Sequence, residues 1–206
     1  VALVYGLEVN MGKSIIIFLT AVILIMPGNL QAGRAIPDDN LAYPVLVRLD
    51  TGATGSGFFL NTETDTYFVT ASHVLFDDAS GKLNAKEATL ISYSRDPKET
   101  KKNTITLSLT SLLASKRIHK HSTQDVTTVH IGSLEEGLIK PVPEAIFAKG
   151  SPGILGVGIN NVKRFDSVLT ANQIYVFGYP TSIGLKDIPQ IDPLHPLLRF
   201  GIIAGT

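Results

Sequence analysis

Cysteine is absent from the 206 residues. Its absence excludes a disulfide framework, a thiolate nucleophile and any cysteine-ligated metal. An excess of either charge is absent too, with 18 basic against 18 acidic side chains. That balance gives no reason to expect nucleic acid or an anionic membrane as the main partner. There is no internal repeat. Nowhere do strands alternate with long helices, which argues against a doubly wound α/β fold. What is present is a hydrophobic content of 44%, enough for a packed globular protein, although part of it lies in one N-terminal run. The length fits one domain or two small ones.

That run is Ile15 to Met26, IIIFLTAVILIM. Met11 and Lys13 stand just before it, and the polar, small-residue stretch PGNLQAGRA follows. The order of charged start, apolar stretch and small-residue region is that of a secretory signal peptide. Residues 11–35 are therefore expected to be a cleavable leader, cut after Ala35 (with Gly33 at −3) or after Ala32. A membrane-spanning anchor is the alternative reading, but the run is short of the roughly 20 apolar residues that a helical span needs. Residues 1–10 precede the expected initiator Met11 and read as translated upstream sequence. The expected location is secreted or periplasmic.

From Tyr43 onward the pattern becomes one of strands. YPVLVRL, GSGFFLN and TYFVTA are short runs rich in β-branched and aromatic residues, broken by the turn-forming TGATG and NTETD. ATLISYS (88–94), TITLSL (104–109), VTTVHI (126–131) and QIYVFGY (173–179) continue the pattern. SLLASKRI (111–118) is one of the few stretches that could be helical. Many short strands separated by Gly, Asn and Asp predict an antiparallel barrel or sandwich. RDPKETKKN (95–103) reads as a solvated hairpin tip. LEEGLIKPVPEA (134–145), with Pro141 and Pro143, reads as a linker between two subdomains. GSPGILGVGIN (150–160) lacks the Lys-Ser/Thr ending of a phosphate cradle, and reads as a loop of the second subdomain.

The segment that carries chemistry is GSGFFLNTETDTYFVTASHV, residues 55–74. A Gly-Ser-Gly strand leads through a turn into a strand that ends in Thr-Ala-Ser-His. This resembles the catalytic-histidine region of the trypsin-like (chymotrypsin-fold) serine peptidases. The resemblance makes His73 the general base, which takes the nucleophile's proton and then gives it to the leaving amine. Thr70, Ala71 and Ser72 fit the small residues that let the chain turn tightly behind the imidazole. TQDVTTVHI (123–131) resembles the strand that the family's aspartate opens. Asp125 would then be a buried carboxylate that accepts the imidazole Nδ1–H and holds its tautomer. Thr127 departs from the family pattern, in which alanine is usual, and adds a hydroxyl that needs a partner. Read without the family, His73 is a surface histidine at a strand end and Asp125 a turn-capping aspartate.

The remaining histidines carry less. His119 and His121 (KRIHKHST) have the i, i+2 spacing that puts two ligands on one face of a strand. No third ligand is placed by sequence, so they read as a loop pair. His130 belongs to the strand of Asp125, on the face opposite Thr127 and Val129. His195 lies in the proline-rich DPLHPLLRF.

VFGYPTSIG (176–184) resembles a Gly-Tyr-Pro segment found early in the second barrel of bacterial members, and PLLRFGIIAGT (196–206) the strand before their nucleophile loop. The Gly-Asn/Asp-Ser-Gly-Gly motif is not in the chain. Ser133, Ser151, Ser167 and Ser182 follow Asp125, and none is followed by Gly-Gly. The resemblance thus implies an all-β chain with two antiparallel six-stranded barrels. The first, 37–135, carries His73 and Asp125. The second, 140–206, is incomplete. The nucleophile and the glycines of the oxyanion hole are expected beyond Thr206.

The implied activity is serine endopeptidase, acting on a polypeptide substrate. The implied setting has no nucleic acid, and no membrane after leader cleavage. No metal or organic cofactor is implied, and the oligomeric state is left open. The chain alone is expected to be inactive, and marginally stable or prone to aggregate through open strand edges. Without cysteines, a bacterial envelope or secreted setting fits better than an animal extracellular one. Two other readings stand beside this. One is a trypsin-like fold that has lost catalysis and serves as a peptide-binding module. The other is a metal-dependent hydrolase using His73, His119 and His121.

Overall fold

Period-two burial builds the sheet. In EATLIS and NTITLS every second residue is buried, so each strand turns one row of side chains into the core and the other outward. The computed structural model describes residues 38–96, 98–151, 153–164, 167, 169–170, 172–179, 192 and 194–203. The apolar run Ile15–Met26, its cleavage region and Ser182 lie outside the described residues. Those that are described belong to one unit, Asp38–Thr206.

The strands are β1 (Pro44–Leu49), β2 (Thr54–Asn61), β3 (Asp65–Thr70), β4 (Glu87–Ser92), β5 (Asn103–Ser108), β6 (Ile118–Lys120), β7 (Thr127–Glu135), β8 (Leu138–Pro141), β9 (Ala145–Phe147), β10 (Gly156–Gly158), β11 (Gln173–Gly178) and β12 (Leu197–Ile202). Among the described residues two short α-helices interrupt them, α1 (Ser72–Leu75) and α2 (Leu109–Ala114). The protein is mostly β. Its main sheet runs β6-β7-β3-β2-β1-β4-β5-β9, with β8 on β7 and β10 on β2. All of these pairings are antiparallel except that of β10 with β2.

The sheet curls upon itself. β5 and β6, near opposite ends of the strand order, are consecutive in sequence through α2. The register of β3 on β7 slips between Thr66 and Tyr67, skipping Ile131, and such an extra residue bends a strand. The concave side holds one core, formed by Val45, Val47, Leu49, Phe59, Phe68, Leu90, Ile105, Leu107, Val129 and Ile131. Phe59 and Phe68 meet edge to face, with ring centroids 6.0 Å apart. Leu46 is buried on the other face of β1. The buried Tyr179 holds the β11–β12 hairpin to that region. Its N–H donates to Ser56 Oγ (3.0 Å) and its hydroxyl to the Pro44 carbonyl (3.3 Å), while burial pushes its phenol well above the usual range.

Two segments differ from their sequence reading. Residues 134–145 are not a free linker: β8 pairs with Gly132–Glu135 of β7, and β9 then pairs with β5. Val142 and Ala145 are buried in the core, so the prolines fall at the margin of a sheet edge, where a missing N–H is tolerated. Residues 150–160 also join the main sheet, through β10. The buried amide of Asn103 holds that segment by donating to the Gly153 carbonyl (2.8 Å) and accepting its N–H (2.9 Å).

The Gly-Ser-Gly of β2 answers to close approach. A Cβ at Gly57 would stand inside contact distance of the Val69 carbonyl and the Phe68 ring, and one at Gly55 would stand 2.6 Å from Val74 Cγ1. Gly57→Ala is therefore expected to destabilise the fold by about 1–3 kcal/mol, the usual range for overpacking. Urea denaturation checks it, and an unchanged midpoint would count against the close approach.

Candidate functional site

β3 ends in Thr70, whose hydroxyl donates to the Ser56 carbonyl (2.8 Å). The chain then turns through Ala71 into α1. Ser72 is buried at this turn, and its Oγ lies 2.8 Å from Thr127 Oγ1 on β7. The Thr127 hydroxyl thus finds its partner in Ser72. Both groups are buried, and the pair ties the turn carrying His73 to the strand that follows Asp125.

The first turn of a helix presents N–H groups with no intrahelical acceptor. Ala71 occupies the N-cap position of α1 and has no side chain that could accept them. Asp125 supplies the acceptor from 52 residues away. Its Oδ1 accepts the His73 backbone N–H at 2.9 Å, and its Oδ2 lies 2.6 Å from His73 Nδ1. An ionised carboxylate can only accept, so Nδ1 carries the proton and Nε2 is left as the basic nitrogen. One carboxylate therefore caps the helix and sets the tautomer of a ring on that helix.

Donation from the His73 backbone N–H is the main reason the Asp125 carboxyl lies below its ordinary value of 3.8. The His73 ring, its charge and the Ser72 N–H add to this, against a smaller opposing effect of burial. Both side chains remain open to solvent, His73 at 59% and Asp125 at 53% relative exposure. The expected buried carboxylate is thus half exposed, at the lip of a polar hollow of about 340 Å³ lined by Ser72, Asp78, Lys120 and residues 121–125.

Asn84 went unmarked in the sequence. Its Nδ2 donates to the carbonyls of His73 (2.9 Å) and Val74 (3.2 Å), and its N–H donates to the Leu75 carbonyl (2.8 Å). These bonds satisfy the carbonyl end of α1 as Asp125 satisfies its amide end. An asparagine in KLNAKE carries no local signal for that role.

The structure brings His73 and Asp125 together; His121 shares the turn of Asp125 and its hollow but is not bonded to either. His119 is exposed on β6. The Nδ1 of His121 accepts backbone N–H groups of its own loop. Among the described residues, no group of three or more His, Asp or Glu is arranged to hold a metal ion. His130 lies between Asp65 (Nε2 to Oδ1, 3.0 Å) and Arg117 (Nη1 to Nδ1, 2.9 Å), on the outer face of β7. His195 Nδ1 meets the Tyr93 hydroxyl at 2.7 Å. Ser133 is on β7, paired with Asp65 and Lys140. The hydroxyl of Ser167 donates to the Arg164 carbonyl.

Because the folded carboxyl of Asp125 titrates below its unfolded value, its contribution to stability is complete above that unfolded value. It is lost as pH falls through the lower, folded one. A carbon-13 titration of the Asp125 carboxyl is expected to give a midpoint below 3.8. A midpoint at or above that value would mean that the N–H groups of α1 do not bind it.

Among the described residues, no helix is long and apolar enough to cross a membrane. Compared with known proteins, the sequence matches no family model and no curated protein.

Proposed function

We propose that His73 and Asp125 are the base and orienting carboxylate of a serine endopeptidase of the trypsin-like kind, on a protein exported by the 11–35 leader. In this reading the curled sheet is the first of two barrels, and the β11–β12 hairpin belongs to the second. The observation that carries the proposal is the double contact of one carboxylate with His73, at backbone N–H and ring Nδ1. It commits Nδ1 to the carboxylate and leaves Nε2 to exchange protons with a nucleophile.

The chemistry follows from that geometry. A serine hydroxyl delivers its proton to Nε2 as its oxygen attacks the scissile carbonyl. The imidazolium that forms is stabilised by Asp125, which stays ionised. The proton on Nε2 then passes to the leaving amine, and water repeats the sequence on the acyl-enzyme. The nucleophile and the oxyanion donors are proposed to follow residue 206, and this chain by itself is proposed to be inactive.

The test uses the full-length protein with an unstructured polypeptide as substrate. Cleavage is expected, with covalent labelling by a serine-directed acylating reagent and indifference to chelators. Asp125→Asn should lower kcat by roughly 10⁴-fold, through the wrong imidazole tautomer. Peptide binding without turnover or labelling would replace this reading with that of a binding module. Loss of cleavage on chelation would replace it with a metal-dependent hydrolase.

A further inference from the structure

Asp125 sits on a six-residue turn, HSTQDV, between β6 and β7. Every residue of that turn is exposed, including Val126 at 42%. With no buried side chain to anchor it, its shape rests on hydrogen bonds. The His121 N–H donates to the Val126 carbonyl (2.9 Å) and closes the base of the turn, and the Val126 N–H donates to the Gln124 carbonyl (2.8 Å).

Inside the turn the acceptor is a ring. The backbone N–H groups of Thr123 and Gln124 both point at His121 Nδ1, at 3.2 and 3.0 Å, and Thr123 Oγ1 lies 3.5 Å from it. Asparagine and aspartate oxygens take this i+2 and i+3 role in ordinary turns. A ring nitrogen can take it only while it carries no proton.

We propose that His121 is a positioning residue for Asp125, its neutral imidazole shaping the turn that aims the carboxylate at α1 and His73. The inference rests on the reading of His73 and Asp125 as base and orienter. It adds a control on that pair. A proton on Nδ1 would face two N–H donors, so the turn keeps this shape only with that nitrogen free to accept. The charged groups around the same hollow are Asp78 in the turn after α1, Lys120 at the end of β6, and Asp125. Lys120 Nζ lies over the Phe76 ring, 5.6 Å from its centroid.

Nitrogen-15 NMR on this chain tests the proposal without needing turnover. The readouts are exchange of the Thr123 and Gln124 amides and the tautomer of His73, with the β3 and β7 amides reporting that each variant is folded. His121→Ala is expected to speed exchange at both amides by about tenfold, as for one ordinary hydrogen bond lost at each, and to release the fixed tautomer of His73. His121→Asn restores both, because its side-chain oxygen can accept the same two N–H groups. Unchanged amides and tautomer in His121→Ala would overturn the proposal. So would failure of His121→Asn to restore them. An inactive full-length protein would instead defeat the peptidase reading and leave these spectra as they are.

Discussion

One carboxylate serves two acceptor duties, and the candidate site depends on both being met at once. Asp125 accepts the amide end of α1, which has no cap of its own, and accepts the Nδ1–H of a ring on that same helix. Each contact restricts the other. With the helix N–H fixed on Oδ1, Oδ2 is aimed at the ring. With the ring fixed on Oδ2, the helix cannot rotate. A helix of four residues has too few internal bonds to hold itself, so its geometry is imposed by groups outside it. These are Asp125 at one end, Asn84 at the other, and the Ser72–Thr127 hydroxyl pair beneath.

The sheet exists, in this sense, to bring those groups together. β3 delivers His73 and β7 begins two residues after Asp125, and β3 pairs with Thr127–Ser133 of β7, with Thr70 opposite Thr127. A separation of 52 residues in sequence thereby becomes a hydrogen bond. The glycines of β2 let β3 and Val74 approach closely enough for the turn to form. Beyond the bulge at Ile131, buried residues such as Phe68 and Val129, opposite each other on those strands, hold the register that sets Thr70 against Thr127. A one-residue slip would turn both to the wrong face.

Much of this was legible in the sequence. β-branched and aromatic runs bounded by turn residues marked β1 to β5 and β11 to within two residues, whereas VTTVHI (126–131) stopped four residues short of the end of β7. His73 and Asp125 stood out through the resemblance of their segments to a trypsin-like pattern, since local chemistry alone reads them as a strand-end histidine and a turn-capping aspartate. What stayed hidden was supplied by distant partners. Asn84 and His121 act through hydrogen bonds to backbone groups, which demand only an amide or an imidazole at the right place in space. The segment 134–145 read as a linker because two prolines outweigh two buried residues in a short window, whereas Val142 and Ala145 decide its place in the fold. The open setting of Asp125 had no sequence signal at all, since exposure is set by what surrounds the turn.

The most direct measurement of the central claim is the nitrogen-15 spectrum of the His73 ring at neutral pH, in the wild-type chain and in Asp125→Ala. The expected result is a proton held on Nδ1 with Nε2 unprotonated, a preference that disappears when the carboxylate is removed. A ring already carrying its proton on Nε2, or one indifferent to Asp125→Ala, would contradict the account, because His73 would then have neither its orienter nor a free basic nitrogen.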